Sequence, residues 1–154
     1  MTPADGRPTP HGATSPAGVP VVLGVDPGRH VGLAWVDADG RLLRTEVVGE
    51  GDLARLRVAD GVTVALGDGT GSRSARARLE GAGLEVVLVD EHATSEEGRR
   101  LYWRDRPAHG WLRWLPVGLR PPPAEIDAYA AYAIALRWLA SARAASRGAH
   151  DEGR

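Results

Sequence analysis

An α/β fold, a mixed β-sheet covered by helices, is predicted by two observations. Three short β-branched or apolar runs near the start follow one another through turns as an antiparallel meander, and the later runs alternate with helical patterns. A third observation concerns what such a sheet is for: three of the runs end on acids, and ligands gather at the carboxyl ends of parallel strands.

Residues 1–18 carry Pro3, Pro8, Pro10 and Pro16 with almost no large apolar side chain, and a disordered tail is expected. Val21 to Val25 is a buried-type strand that delivers Asp26 to the turn Pro27-Gly28. Val31 to Val36 is the second strand, Asp37-Ala38-Asp39-Gly40 a turn, and Arg41 to Val48 a partly exposed third strand. Asp52 to Val58 has the character of a short helix. Val62 to Leu66 is a second buried strand, ending on Asp68 between Gly67 and Gly69. Ser72 to Ala82 is helical, with Arg73, Arg76 and Arg78 near its start and Gly83 in the C′ position. Leu84 to Val89 is a third buried strand, ending on Asp90-Glu91. Thr94 and Glu97 have capping-box spacing for a helix to about Trp103. Residues 104–123, with Pro107, Gly110, Pro116 and Pro121-Pro122-Pro123, are irregular. Ala124 to about Arg143, with Ile126, Tyr129, Ala133, Ile134 and Trp138 on helical spacings, is the strongest helix, and residues 146–154 are expected to fray as a tail. The folded unit is one domain over residues 19–145.

The length of 154 residues suits one domain with a real core. There is no cysteine, so a metal would be held by Asp, Glu or His. All 19 basic residues are arginine, which reflects compositional bias first and suits bidentate phosphate contacts second. The formal charge of −1 does not argue against a polyanionic partner, because clustered acids mask a basic face in the sum. No run approaches the roughly 18 apolar residues of a membrane span, and no secretory signal is present, so a soluble, cytoplasmic protein without membrane attachment is expected.

Each strand-end acid alone is most simply a turn residue. Together, Asp26, Asp68 and the pair Asp90-Glu91 crowd like charges at one edge, which is costly unless protons or cations neutralise them. Mg²⁺ or Mn²⁺ suits such an oxygen-only set, and two ions about 4 Å apart can assist phosphodiester hydrolysis. Asp127, in the first turns of the last helix, reaches the same edge if that helix packs across the sheet. Neighbouring residues point to opposite sides, so Glu91 is taken as the ligand and Asp90 as a turn residue. The candidate metal and catalytic set is therefore Asp26, Asp68, Glu91 and Asp127. His30 and His92 are candidate proton shuttles beside it.

Between Arg99 and Arg120 lie six arginines (99, 100, 104, 106, 113 and 120) against one acid, Asp105, interleaved with Tyr102, Trp103, Trp111 and Trp114. Arginines track phosphates and aromatic faces stack on unpaired bases. Candidate nucleic-acid contacts are Arg99, Arg100, Trp103, Arg104, Arg106, Trp111 and Arg113, with Arg73 and Arg76 of the earlier helix. The competing reading makes the tryptophans core or dimer-interface anchors.

Three stretches resemble the RNase H-like nucleases of the YqgF/RuvX group, relatives of the RuvC Holliday-junction resolvases: Gly24-Val25-Asp26-Pro27-Gly28 with Gly32-Leu33-Ala34, Val87 to Thr94, and Ile126-Asp127-Ala128-Tyr129-Ala130-Ala131. The resemblance spans about residues 20–140. It implies a five-stranded mixed sheet, three antiparallel strands then parallel ones, flanked by helices, with a carboxylate cluster binding Mg²⁺ or Mn²⁺. Asp26, Glu91 and Asp127 match its acids, and Asp68 falls where the RuvC branch has a strand-end Glu. His92, and Gly67-Asp68-Gly69, depart from its pattern. The implied function is metal-dependent endonuclease action on Holliday junction DNA or a small-subunit rRNA precursor, leaving a 3′-hydroxyl and a 5′-phosphate. A homodimer would suit a two-fold substrate. The rival is a catalytically degenerate nucleic-acid-binding scaffold of the same fold.

Overall fold

Strand β1 (Pro20–Asp26) sends alternate residues to opposite faces, and both faces are sealed. Val22 joins one core cluster and Leu23 and Val25 the other, as expected of a strand buried on both sides. The computed structural model describes residues 18–120 and 125–151; the expected disordered tail lies outside them apart from Gly18.

Around β1 the sheet has the order β3-β2-β1-β4-β5. Strands β2 (His30–Asp37) and β3 (Leu42–Gly49) complete an antiparallel meander, with Asp26 opposite Gly32. Strands β4 (Thr63–Gly67) and β5 (Val86–Val89) are parallel to β1, with Gly67 opposite Val89. The helices are α1 (Ser72–Gly81), α2 (Thr94–Asp105) and α3 (Ile126–Asp151). The predicted five-stranded mixed sheet with flanking helices is the one observed.

Each face has its own core. Val22, Ala34, Val36 and Ala65 pack under Tyr129, Ala131, Tyr132, Ile134 and Ala135 of α3. Leu23, Val31, Leu33, Val64 and Leu66 pack against Ala75 and Leu79 of α1 and Leu53. Glycine sets how closely α3 approaches. A Cβ on Gly24 would stand 2.0 Å from the Ala131 carbonyl oxygen, and one on Gly32 would stand 1.8 Å from that of Asp127. On α2, a Cβ at Gly98 would be 2.5 Å from the Ala130 nitrogen. The main chain of α3 therefore lies directly on β1 and β2, and α2 lies directly on α3.

Several local expectations are corrected. The residues expected to form a helix over 52–58 instead make a 3₁₀ segment, Glu50–Arg55, followed by extended chain. The stretch Leu84–Val89 is not a buried strand: only Val86–Val89 pairs, and Val87 and Leu88 are 43% and 46% exposed. As the last strand it has a neighbour on one side only, and apolar composition does not reveal that position. Thr94 does not cap α2. Ala93 occupies the N-cap position at φ 61°, and the Thr94 hydroxyl donates to the Glu91 carbonyl at 2.8 Å. Helix α3 continues to Asp151, through most of the stretch expected to fray. Among the described residues no helix is long and apolar enough to cross a membrane.

The turn after β2 rests on its first residue, Asp37. Asp37 is buried, and its carboxylate accepts the backbone N–H groups of Asp39 and Arg41 at 2.9 Å and of Gly18 at 3.3 Å. These bonds, that from Arg41 foremost, hold its pKa below the ordinary carboxylate value against the opposing effect of desolvation.

Candidate active site

The carboxyl ends of β1, β4 and β5 face the same way because the three strands are parallel. Asp26 ends β1 two residues after Gly24, so it shares the α3 side of the sheet. Its antiparallel partner Gly32 carries the Asp127 main chain against it, which brings the start of α3 to the end of β1. The missing side chain at Gly32 thus helps to set the spacing between two acids more than ninety positions apart in the chain.

Glu91 lies two residues beyond β5 and folds back over the end of β4. A Cβ at Gly67 would stand 2.5 Å from Glu91 Oε2, and one at Gly69 would stand 1.3 Å from Oε1. The glycines flanking Asp68 thus form the floor on which the Glu91 carboxylate lies. Its main chain is held from both sides: Thr94 donates to its carbonyl, and its N–H donates to Asp68 Oδ1 at 3.2 Å. The Asp68 N–H in turn donates to the Val89 carbonyl at 3.0 Å, closing the gap between the ends of β4 and β5. Asp90 accepts the His92 N–H at 2.9 Å in a local turn.

Asp26 feels the charges of two of the other acids. Burial pushes the Asp26 carboxyl up to about 7, and the charges of Glu91 and then Asp127 add to the rise. Glu91 Oε2 is buried and has no hydrogen-bond partner among the described residues. A buried carboxylate oxygen without a donor is costly and suits a cation. The donor set is oxygen only, as Mg²⁺ or Mn²⁺ prefers. The acids do not form a ready-made cage: among the described residues, no three Asp, Glu or His side chains converge closely enough to hold a metal ion. The arrangement is therefore a repulsive carboxylate cluster that fits a cation through its unmet oxygen and like charges.

The predicted set is thus divided by position. Asp26, Glu91 and Asp127 are brought into one electrostatic cluster, whereas the Asp68 carboxylate is exposed and engaged with the Glu91 main chain. His30 and His92, the candidate shuttles, are both exposed. Thr94, Gly67 and Gly69 are positioning residues that sequence reasoning missed. The only signal was Gly-Asp-Gly directly after an apolar run.

If Glu91 needs that glycine floor, Gly69→Ala should move it without unfolding the protein, because the obstructed atoms end a flexible side chain. The expected result is a near-native Tm with cleavage reduced about 10- to 100-fold, measured on the same nucleic-acid substrate as the parent.

The predicted nucleic-acid residues surround the α2–α3 connection and the start of α1. Gly71, at the α1 N-cap, lies beside Gly28, so Arg73 and Arg76 begin the helix that borders the turn after Asp26. Three arginines of the second group are paired with acids: Arg100 with Glu96, Arg104 with Asp105 and Arg106 with Glu125. Arg76 is paired with Glu80. The local charge is therefore smaller than the sequence count suggests. Arg106 pairs with Glu125, two residues before Asp127. Arg99 and Trp103 are half-buried, Arg113 lies over the Trp114 ring at 5.2 Å, and Trp111 is largely exposed.

No protein-family model and no curated protein matches the chain. Solved structures do. A Thermus thermophilus RuvC structure aligns over 80% of this chain and 96% of its own length, with 21% identity and a TM-score of 0.52. T. thermophilus RuvC in complex with Holliday junction substrate aligns over 80% and 95%, with 22% identity and a TM-score of 0.49. At these identities the likeness concerns architecture. The first alignment and the observed strand order together establish that the chain has the RuvC-type, RNase H-like fold.

Proposed function

We propose that this protein is a metal-dependent endonuclease that hydrolyses phosphodiester bonds in structured nucleic acid, with Asp26, Glu91 and Asp127 holding Mg²⁺ or Mn²⁺. The observation that carries the reading is the raised carboxyl of Asp26, crowded by Glu91 and Asp127 at the end of the central strand, beside the unpartnered Glu91 Oε2. Bound divalent ions would supply charge neutralisation at the phosphate and a more acidic water. The chain's own residues do the rest. Asp26 comes from the rigid core of the sheet, which limits its movement. Asp68 and Thr94 fix the Glu91 main chain, and Gly67 and Gly69 leave room for its carboxylate. Gly32 lets α3 bring Asp127 down to the same edge. Arg73, at the border of the Asp26 turn, and the arginines of the α2–α3 connection supply contacts for phosphates on either side of the cleaved bond.

Within this class we infer a member of the YqgF/RuvX group acting in the cytoplasm. Its substrate is a four-way DNA junction or a small-subunit rRNA precursor, and a homodimer matches the two-fold junction. A scaffold that binds without cutting is favoured by one observation, the lack of a preassembled ligand cage among the described residues. Incubation with Mn²⁺ or Mg²⁺ on branched DNA and structured RNA separates the two. The nuclease reading expects cleavage that disappears in chelator and falls at least about 1000-fold in Asp26→Asn, Glu91→Gln and Asp127→Asn, a loss comparable to removing a major electrostatic contribution. Equal cleavage by parent and variants would remove these residues from catalysis, and binding without cleavage by the parent would establish the scaffold.

A further inference from the structure

The α2–α3 connection carries an aromatic surface that the carboxylate site does not explain. Trp111 and Trp114 lie on one 3₁₀ turn, Gly110–Trp114, and are 68% and 78% exposed. Such exposure is unusual for tryptophan, which proteins ordinarily bury for most of its area. Beside this turn is a cavity of about 560 Å³ lined by Tyr102, Trp103, Asp105, Arg106, His109 and Leu112, within the size range of small-ligand sites; its acid, Asp105, is ion-paired with Arg104.

The walls of the cavity suit a planar, polar ring. Tyr102 and Trp103 meet edge to face, with ring centroids 5.2 Å apart. Arg106 lies over the Tyr102 ring at 5.4 Å, and Arg120 over the Trp103 ring at 5.1 Å. The surrounding stretch holds six arginines and one acid. Even with three of these arginines ion-paired, Arg99, Arg113 and Arg120 leave the surface basic.

We propose that this connection is a binding site for unpaired nucleotides: one base enters the Tyr102–Trp103 cavity, neighbouring bases stack on Trp111 and Trp114, and Arg113 meets the intervening phosphate. Duplex DNA or RNA keeps its base faces stacked internally and cannot use such a surface, whereas a single strand offers a π face at every nucleotide. The Arg106–Glu125 ion pair ties the site to the start of α3, near Asp127. The site would thus select the branch point, loop or flap where strands separate. This deepens the nucleic-acid reading above and does not depend on the metal.

The test is fluorescence anisotropy in EDTA, using labelled oligothymidylate of about 15 nucleotides and a blunt duplex of equal length, with the full chain and its Trp111→Ala/Trp114→Ala variant. Both side chains are exposed, so the variant should keep its circular dichroism and Tm. The expected result is at least about tenfold tighter binding of the single strand than of the duplex, and at least about tenfold weaker single-strand binding by the variant with duplex binding unchanged. Equal affinity for the two oligonucleotides, or unchanged single-strand binding by the variant, would overturn the proposal. A parent dimer that the variant breaks while single-strand binding persists would also overturn it, assigning the tryptophans to a protein interface. Because binding is read without metal, absence of cleavage does not affect the outcome.

Discussion

Asp26→Asn is expected to make the metal-free protein more stable at about pH 8 while abolishing its cleavage. In the folded state the carboxyl of Asp26 is pushed up to about 7, from the ordinary 3.8, by burial and by Glu91 and Asp127. The folded protein therefore holds this proton more tightly than the unfolded chain does. Below about pH 4 both states are protonated and there is no penalty. Between about 4 and 7 the penalty for ionising in the folded state grows, and above 7 it is fully present. A shift of this size corresponds to at most about 4 kcal/mol, and the partial exposure of Asp26 reduces the expected gain to about 1–3 kcal/mol. In chelator, Tm should rise by roughly 3–8 °C at about pH 8 and stay unchanged near pH 4. Thermal unfolding across this pH range checks it, and equal pH profiles for parent and variant would contradict it. Stabilisation on losing a functional group marks a site where charge is kept for use at the expense of stability.

The largest loss of stability is expected from Gly32→Ala. Its Cβ would meet the Asp127 carbonyl oxygen at 1.8 Å, the Asp127 carbonyl carbon at 2.2 Å and the Ala128 nitrogen at 2.7 Å. All three are backbone atoms, so no rotamer change relieves the clash and α3 must lift from the sheet. The expected cost is about 3 kcal/mol or more, at the upper end for an overpacked core. Gly28→Ala is the matched control: its Cβ would meet only the His30 carbonyl oxygen, at an ordinary 3.6 Å. Urea denaturation should separate the two variants widely, and a Gly32→Ala protein as stable as the control would show that α3 can move away cheaply. Asp127 rides on the displaced turn, so any residual folded fraction should also lose cleavage.

The sequence reveals the strands because their apolar runs are dense and β-branched, and it reveals Asp26, Asp68 and Glu91 because each comes just after such a run, while Asp127 is legible only as an acid in the first turn of a strong helix. The meander was legible from the turn at residues 37–40, whose buried Asp37 uses its side chain to satisfy main-chain N–H groups. What remained hidden depends on distant approach. Gly24, Gly32 and Gly98 look like ordinary glycines in a strand or helix, and only the position of α3 shows that a methyl group would not fit. Thr94 and Glu97 have the spacing of a capping box, yet the left-handed Ala93 moves the cap by one residue and turns the threonine hydroxyl back to Glu91. Asp68 follows a buried strand just as Asp26 does, but its carboxylate holds a neighbouring main chain. Local pattern cannot distinguish these two aspartates, because the difference lies in what β5 brings beside one of them.

Crystals grown in Mn²⁺ and recorded at the manganese absorption edge test the central claim most directly. Anomalous density is expected in contact with carboxylate oxygens of Asp26, Glu91 and Asp127, and is expected to be lost when Asp26 is replaced by Asn. Density confined to other surface acids, with Glu91 Oε2 still unpartnered, would contradict it.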